Sequence, residues 1–280
     1  MHKTAVLTVI YPLAIPFFYE FFDSLRNQSY KNFDIIIIND GVSNLPRRLL
    51  AGLNYKIYNY NSTPAKNREY GLNVICESGY KEVILSDIDD YNRTDRIEKS
   101  LAYLNQCDCI VNDLNIVNSS GKLIISDYFK HSHVIPECIN LDFLKDKNIC
   151  GFSNTAIRTD IIYPVVFPKN VRIVDWYFFT KLLLEKRSIR FVPDALTYYR
   201  QHDNNEIGIE DSKTASFRKL IQFKIEHYTH LLNLDNDHHF QGYLEETMKL
   251  SNLTDSEIEK IISKNRVINS HPLWWENVKL

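Results

Sequence analysis

The chain has 280 residues, of which 44% are hydrophobic and 24% are charged. This length is sufficient for one large domain with an appendage and for a sizeable hydrophobic core. The formal net charge is -2, with 33 Lys and Arg residues against 35 Asp and Glu residues, so the overall charge gives no reason to expect a nucleic-acid partner. A phosphate-bearing ligand would therefore need a local binding site.

The sequence predicts neither a membrane span nor a disulfide framework. No stretch approaches the roughly 20 apolar residues of a transmembrane helix, and the N-terminus enters a strand without the apolar region of a signal peptide, so we expect a cytoplasmic protein. The five cysteines are an odd number, and Cys107-x-Cys109 is tighter than the usual Cys-x-x-Cys hairpin. We expect reduced, structural thiols, with a metal or redox role as the alternative.

The N-terminal part of the chain alternates between strand and helix patterns. Runs rich in Val and Ile, such as Asp34 to Asn39 with its four consecutive isoleucines, are typical of strands buried on both faces. The predicted strands cover 5–10, 34–39, 55–60, 82–86 and 109–112, and the predicted helices cover 17–30, 65–77 and 92–104. This alternation predicts an α/β fold with a mostly parallel central sheet flanked by helices.

After Gly151 the pattern becomes irregular and then mainly helical. Thr254 and Glu257 have the spacing of a capping box that opens the last helix. The predicted elements of this half are a helix over 175–186, a strand over 189–193 and helices from 212 onward. We therefore predict a large α/β domain over 1–210 and a C-terminal helical extension over 211–280 that packs on it.

One apolar strand runs directly into three carboxylates, at Asp87, Asp89 and Asp90. Such a cluster is repulsive unless a cation or several donors hold it. Ligands of open α/β sheets lie beyond the carboxyl ends of the strands, where this cluster should fall. The pattern favours a divalent cation that clamps the phosphates of a nucleotide. The alternative is an acidic cap for the helix predicted from residue 92, and one of the three carboxylates is expected to serve as that cap.

Two further polar segments are candidate nucleotide contacts. Asp40 lies in a turn that would be an ordinary end for the isoleucine strand, but its carboxylate can also accept a hydrogen bond from the imide N–H of uracil or thymine. Lys66 and Arg68 lie near a predicted helix start, where cations oppose the helix dipole unless an anion is bound there. Phosphate contact is the preferred interpretation, and a solvated helix face is the alternative.

Asp175 and Trp176 lie at the start of a predicted helix whose face is otherwise apolar. An acid in the first turn is stabilised by the helix dipole whether or not it has another role. The functional hypothesis is that Asp175 is a general base that takes the proton of an acceptor hydroxyl. Trp176 would then offer a flat apolar surface to a sugar ring. His202 lies in a polar loop, where a histidine is more often solvated than a ligand.

The five polar segments described above, which contain Asp40, Lys66 to Arg68, Asp87 to Asp90, Asp175 to Trp176, and His202, resemble in order and approximate spacing those of the family 2 inverting glycosyltransferases. That family has the nucleotide-diphospho-sugar transferase fold called GT-A, which the resemblance therefore implies here. The match runs from Val6 to about Asn205. Leu85 to Asp90 is similar to the family's Asp-x-Asp motif, and Tyr199 to His202 resembles its Tyr-Arg-x-His ending. The segments 9–12 and 24–41 resemble its first strand, first helix and second strand.

The resemblance implies roles for individual residues. Asp40 would contact the base, and Asp175 would be the catalytic base. Lys66 stands where the family often has Arg, so Arg68 is a candidate for the phosphate role. The implied nucleotide-sugar contacts are Tyr11, Pro12, Asp40, Lys66, Asn67, Arg68, Asp87 and Trp176, and the implied metal ligands are Asp89 and His202, the latter with a diphosphate contact as its alternative role.

The residues and the resemblance together predict a glycosyltransferase. It would move a sugar from a nucleoside diphosphate sugar, with a UDP-sugar favoured, to a hydroxyl of a glycan or lipid-linked glycan, with inversion and with Mn²⁺ or Mg²⁺ as cofactor. Bacterial surface polysaccharide synthesis is the expected role. The alternatives are a non-catalytic sugar-nucleotide binder or scaffold, and a sugar nucleotidyltransferase, which would need a Gly-rich phosphate loop that Tyr11 to Pro16 lacks.

The paired tryptophans Trp274 and Trp275 lie close to the C-terminus. Three explanations remain open for them. They could pack the tail onto the catalytic domain, contact a lipid-linked acceptor at the inner face of the cell membrane, or form a homodimer contact.

Overall fold

The computed structural model describes residues 3–132, 134–202, 214–235, 238–268 and 273–278. The strands are β1 (Thr4–Ile10), β2 (Phe33–Asn39), β3 (Tyr55–Asn59), β4 (Glu82–Leu85), β5 (Tyr91–Asn92), β6 (Cys109–Val117), β7 (Leu123–Ile125), β8 (Cys138–Ile139), β9 (Thr155–Arg158) and β10 (Ile189–Arg200). The helices are α1 (Phe18–Arg26), α2 (Pro64–Glu77), α3 (Arg96–Leu104), α4 (Tyr128–Ser132), α5 (Leu141–Leu144), α6 (Val174–Leu184), α7 (Thr214–Leu232), α8 (Gln241–Leu250), α9 (Asp255–Ile268) and α10 (Trp274–Asn277). Short 3-10 helices cover Pro12–Phe17, Arg47–Leu50 and Thr159–Ile161.

The chain divides into two compact units. The first consists of Met1–Ile139, Cys150–Phe167 and Arg187–Arg200, and the second of Asn140–Ile149, Pro168–Lys186 and Gln201–Leu280. The first unit contains the whole sheet, α1 to α4 and the three 3-10 helices, and the second contains α5 to α10.

The sheet of the first unit has the order β3-β2-β1-β4-β9-β6-β10-β5, with β7 added to β6 and β8 added to β10. The four strands β3, β2, β1 and β4 are parallel, as are β6 and β10. β9 runs antiparallel between β4 and β6. The prediction of an α/β fold with a mostly parallel sheet and flanking helices is confirmed.

The core of the first unit follows from the apolar patterns of its strands and helices. All seven residues of β1 are buried, as expected for a strand covered on both faces. On α1, the apolar residues recur at helical spacing and form one buried face, consisting of Phe18, Phe21, Phe22 and Leu25. This face shares one hydrophobic cluster with residues of β1 and β2, which holds α1 against the sheet.

Two predicted elements of the first unit differ from the observed ones. Asn92 was expected to begin a helix, but it belongs to β5 and pairs with Thr197 of β10. β10 was expected to end at Pro193, but it continues to Arg200. An irregularity between Val192 and Leu196 accommodates the proline, which is how strands usually tolerate one.

The second unit is helical in the part of the chain that is described. α7 contacts α6, α8, α9 and α10. The predicted capping box is confirmed: the Thr254 N–H donates to Glu257 Oε2 at 2.8 Å, and the Glu257 N–H donates to Thr254 Oγ1 at 3.4 Å, at the start of α9. None of the described helices combines the length and the apolar character that crossing a membrane would require.

Candidate functional site

The carboxyl ends of β1, β2 and β4 lie side by side at one edge of the sheet. β1 is parallel to both of its neighbours, and its last residue, Ile10, is in register with Asn39 of β2. Tyr11 and Asp40 follow these two strands directly, and Asp87 follows β4. The fold therefore brings together, at this edge, three residues that the sequence predicts to contact a nucleotide sugar.

Asp40 lies in a tight turn that Asn39 stabilises. Asn39 Oδ1 accepts the Val42 N–H at 2.8 Å, and Gly41 has a φ of +86°, a conformation that favours glycine. One Asp40 oxygen accepts the Ser62 N–H at 3.3 Å, and the side chain remains partly exposed. The turn thus presents a carboxylate at the sheet edge, and its contact with a base stays a prediction.

The two cations at the start of α2 have different partners. Lys66 Nζ pairs with Glu69 of the same helix at 2.7 Å. Arg68 Nη2 pairs with Asp87 Oδ1 at 3.0 Å. We call Asp87 to Asp90 the acidic segment. Of the two candidate phosphate contacts, the structure brings Arg68 to this segment, whereas Lys66 forms an ion pair within its own helix.

The side chain of Asn67 is buried and contacts the protein main chain. The residue is fully buried, and its amide donates to the Ser62 carbonyl at 3.2 Å. The neighbouring N-cap, Thr63, accepts the Lys66 N–H through its hydroxyl. The side chain thus holds the loop that leads into α2, and its contact with a nucleotide sugar stays a prediction.

Both carboxylate oxygens of Asp87 have protein partners. Oδ1 accepts from Arg68, and Oδ2 accepts the Ser153 hydroxyl at 3.1 Å. The Arg68 guanidinium lies 5.0 Å from the centroid of the Phe152 ring, which restricts its position further. A cation is therefore held directly beside the acidic segment, where an anionic ligand could compete for it.

Asp89 contacts Tyr11 across the sheet edge. The Tyr11 hydroxyl donates to Asp89 Oδ2 at 3.2 Å. Burial raises the pKa of Tyr11, and the nearby carboxylates raise it further, so the phenol stays protonated and acts as a donor. The next residue, Pro12, begins a 3-10 helix and is exposed. Tyr11 thus provides a neutral partner for a carboxylate that would otherwise face its acidic neighbours.

Asp90 is the buried member of the acidic segment, with 2% of its surface exposed. Its Oδ1 accepts the Arg200 N–H at 2.7 Å. Burial raises the pKa of Asp90, and the charge of Asp89 acts in the same direction. The expectation that one of the three carboxylates caps a helix is wrong, because α3 begins at Arg96 with Asp95 at the N-cap position.

A buried arginine lies beneath the acidic segment. Arg96 is fully buried, and it donates to Leu85 O at 2.7 Å, to Asn112 Oδ1 at 3.1 Å and to the Asn92 side chain. Burial lowers the pKa of Arg96, and the nearby carboxylates oppose that change. A guanidinium remains protonated at neutral pH, so its charge offsets part of the repulsion among those carboxylates.

The second unit contains Asp175 and His202. Asp175 lies in the first turn of α6, and its Oδ1 accepts the Trp176 N–H at 2.8 Å. His202 follows the end of β10 in sequence and is partly buried. The general-base role of Asp175 and the metal or diphosphate role of His202 stay predictions.

Trp176 is a core residue of the second unit. It is fully buried, and its Nε1 donates to the Leu144 carbonyl at 2.9 Å. The indole stacks on His227, with ring centroids 3.7 Å apart and an interplanar angle of 11°. The structure places this ring in the core with no exposed face, and its contact with a sugar stays a prediction.

The sequence analysis assigns no role to four residues that lie at the acidic segment or contact Arg68. These residues are Arg96, Phe152, Ser153 and Arg200. Arg200 carries a sequence signal, since it belongs to the Tyr-Arg-x-His segment. Arg96 carries a weaker one, since it precedes Ile97 on the buried face of α3. Phe152 and Ser153 lie in a segment without a regular pattern, so no local signal points to them.

The sequence is similar to those of known glycosyltransferases. The family model for glycosyl transferase family 2 matches residues 10–163, which is more than half of the chain. A Haemophilus influenzae protein described as an uncharacterized glycosyltransferase is 27% identical over 240 residues, covering 77% of this chain and 71% of that protein.

Two solved structures share the fold. S. aureus TarS 1-349 in complex with UDP-GlcNAc has a TM-score of 0.63 and 18% identity, covering 96% of this chain and 82% of that chain. The mannosyltransferase PcManGT from Pyrobaculum calidifontis, in complex with GDP-Man and Mn²⁺, has a TM-score of 0.62 and 13% identity, covering 92% and 72%. These likenesses confirm the GT-A fold. Because the family model spans more than half of the sequence, this chain belongs to glycosyl transferase family 2 and is a glycosyltransferase.

Proposed function

We propose that this glycosyltransferase moves a sugar from a nucleoside diphosphate sugar to a hydroxyl of a glycan or lipid-linked glycan, with inversion at the anomeric carbon. The observation that carries the proposal is the acidic segment at the carboxyl edge of the sheet, with Arg68 held against Asp87 at 3.0 Å. Such an edge is where α/β proteins bind nucleotides. A cation and carboxylates placed together there suit a diphosphate and its metal ion.

A UDP-sugar is the favoured donor. A carboxylate only accepts hydrogen bonds, so Asp40 suits the imide N–H of uracil. The N–H groups of guanine would also suit it, which makes a GDP-sugar the rival donor. The comparisons support both classes, because TarS was solved with UDP-GlcNAc and PcManGT with GDP-Man.

Mn²⁺ or Mg²⁺ is the proposed cofactor. Within the described ranges, no group of three His, Cys, Asp or Glu side chains is placed to hold a metal ion by itself. These hard cations commonly use one or two carboxylates together with substrate phosphates, and Asp87 and Asp89 can supply such oxygens. His202 is the proposed third protein ligand or diphosphate contact. A bound cation would neutralise charge on the departing diphosphate.

Asp175 is the proposed general base. Its carboxylate would take the proton of the acceptor hydroxyl while that oxygen forms a bond to the anomeric carbon. The bond between the same carbon and the diphosphate breaks on the opposite face, which inverts the configuration. Support comes from the position of Asp175 in the first turn of α6, where the helix dipole favours the ionised carboxylate that a base requires.

The biological setting is part of the proposal. We infer a role in bacterial surface polysaccharide synthesis, in the cytoplasm at the inner face of the membrane, and a division into a catalytic domain over 1–210 and a helical extension over 211–280. Trp275 is 2% exposed. This burial supports packing inside the protein for that side chain, in preference to a contact with a membrane or with a second copy of the chain. The side chain of Trp274 lies outside the described residues.

A thermal-shift panel tests the donor class. UDP, GDP, UDP-GlcNAc and GDP-Man are each added with and without Mn²⁺, because a ligand that binds the native state raises its melting temperature by mass action. We expect the uracil compounds to raise the melting temperature, and we expect Mn²⁺ to enlarge that rise. A rise with GDP compounds alone would replace the UDP assignment. No rise with any compound would contradict the proposed function.

Replacing Asp89 by alanine is expected to remove the contribution of Mn²⁺ to donor binding. The change deletes the proposed principal metal ligand. Loss of a residue that only orients a metal ligand weakens metal binding by about 10–100-fold. The dissociation constant of the donor in the presence of Mn²⁺ should rise by at least as much. Isothermal titration with UDP and Mn²⁺ measures it. The control is Asp160→Asn, since Asp160 forms an exposed pair with Arg158 in the same unit. Equal Mn²⁺ dependence in wild type and Asp89→Ala would exclude Asp89 as a ligand.

A further inference from the structure

Arg200, the last residue of β10, has a buried guanidinium, and the residue as a whole is 2% exposed. Its side chain donates to the main-chain carbonyls of Asp89 at 2.8 Å and Ser119 at 3.0 Å, and it pairs with the Glu20 carboxylate. A buried cation requires such partners, because its donors have lost their hydration. Arg200 thereby joins three segments that are distant in sequence.

Two aromatic rings contact the same guanidinium. Its central carbon lies 4.9 Å from the centroid of Phe17 and 5.4 Å from that of Tyr91. Tyr91 in turn stacks on Tyr198, with centroids 4.4 Å apart and an interplanar angle of 8°. A planar guanidinium can lie against rings and donate several hydrogen bonds at once, whereas the ammonium of lysine is a point charge. The contacts at this position are therefore specific to arginine.

Two hydrogen bonds of Arg200 reach neighbouring residues of the acidic segment, one to a main-chain carbonyl and one to a side-chain carboxylate. Its Nε holds the carbonyl of Asp89, and its main-chain N–H donates to the carboxylate of Asp90 at 2.7 Å. The Asp89 carbonyl belongs to the peptide plane that links Asp89 to Asp90. Holding that plane limits the backbone rotation at Asp89, and so limits the directions in which its carboxylate leaves the chain.

We propose that Arg200 is a positioning residue for cation and donor binding. The buried guanidinium fixes the peptide between Asp89 and Asp90, so that the Asp89 carboxylate is already oriented before the diphosphate and its metal ion arrive. This inference rests on the proposed function. Side chains that orient metal ligands commonly change metal affinity by about 10–100-fold when they are lost, although they do not touch the metal.

The test is Arg200→Lys, which keeps the positive charge and removes the fork of donors. Mn²⁺ is titrated into the full chain in the presence of UDP, and melting temperatures are recorded without ligand and with UDP at increasing Mn²⁺. We expect the Mn²⁺ dissociation constant to rise by about 10–100-fold. Excess Mn²⁺ should restore the UDP-induced rise in melting temperature. A merely structural role would lower the melting temperature without ligand and leave the dissociation constant unchanged.

Arg190 provides a matched control on the same strand. It pairs with the Glu137 carboxylate and lies 5.0 Å from the centroid of the Tyr103 ring, so it shares both kinds of contact with Arg200. It is near the amino end of β10, however, whereas Arg200 is at the carboxyl end. We expect Arg190→Lys to keep the wild-type Mn²⁺ dissociation constant.

The outcomes separate this inference from the proposed function. If the wild-type chain binds UDP with Mn²⁺ and Arg200→Lys binds Mn²⁺ equally well, the inference is overturned alone. It is overturned also if Arg190→Lys weakens Mn²⁺ binding as much as Arg200→Lys does. If the wild-type chain shows no Mn²⁺-dependent binding of UDP or GDP, the proposed function fails and the inference fails with it.

Discussion

Asp175→Asn is expected to lower turnover by about 10²–10⁴-fold while donor binding stays unchanged. Asparagine keeps the size of the side chain and an oxygen that can accept the Trp176 N–H, which lies 2.8 Å from Asp175 Oδ1. It cannot take the proton of an acceptor hydroxyl at neutral pH. Measuring kcat together with the donor dissociation constant distinguishes a loss of chemistry from a loss of binding.

Asp142→Asn is the matched control for this prediction. Asp142 is also an acid in the first turn of a helix of the second unit, α5, and it pairs with Lys145 at 2.9 Å. Its loss should leave kcat close to the wild-type value. The general-base role would be excluded if Asp175→Asn turned over at the wild-type rate, or if Asp142→Asn lost as much activity.

The inner strands of the sheet are predictable because their signal is local. β2 was expected over 34–39 and covers Phe33–Asn39, since a run of isoleucines is stable only when both of its faces are covered. α2 was expected over 65–77 and covers Pro64–Glu77, with the proline at a first-turn position that it favours. In these segments the intrinsic preference and the tertiary environment agree.

The outer part of the sheet is less predictable because distant pairing decides it. β5 is two residues long and exists through its antiparallel pairing with β10, so nothing in its own composition marks it as a strand. β10 continues past Pro193 because its second half pairs with β6 after the irregularity. A proline read in isolation indicates a strand end, and only the partner strand shows otherwise.

The same distinction applies to the site. The acidic segment is visible in sequence because its carboxylates are neighbours, but its partners are not: Ser153 is 66 positions from Asp87, and Arg200 is 110 positions from Asp90. The burial of Trp176 is also hard to predict, for a different reason. α6 buries residues around most of its circumference, so an aromatic residue in its first turn packs into the core and not against a ligand.

Arg96→Met is expected to destabilise the chain by about 3–5 kcal/mol. Methionine fills much of the same space but donates no hydrogen bonds. The change leaves the carbonyl of Leu85 and the side chains of Asn92 and Asn112 without their buried donor, and each such acceptor costs about 1–3 kcal/mol. It also removes a positive charge from beneath the carboxylates of the acidic segment. Urea unfolding, followed by tryptophan fluorescence and circular dichroism, measures the free energy of unfolding.

Arg93→Met is the control that tests whether burial of the guanidinium causes the destabilisation expected for Arg96→Met. Arg93 lies three positions earlier and pairs with Asp95 at 2.5 Å, but 28% of its side chain is exposed. Water can replace the guanidinium at such a site, so the loss should stay within about 1 kcal/mol. Equal destabilisation by the two substitutions would mean that the buried network contributes no more than a surface pair. A much larger loss at Arg96 would show that the buried guanidinium and its hydrogen bonds stabilise the first unit far more than a surface ion pair does.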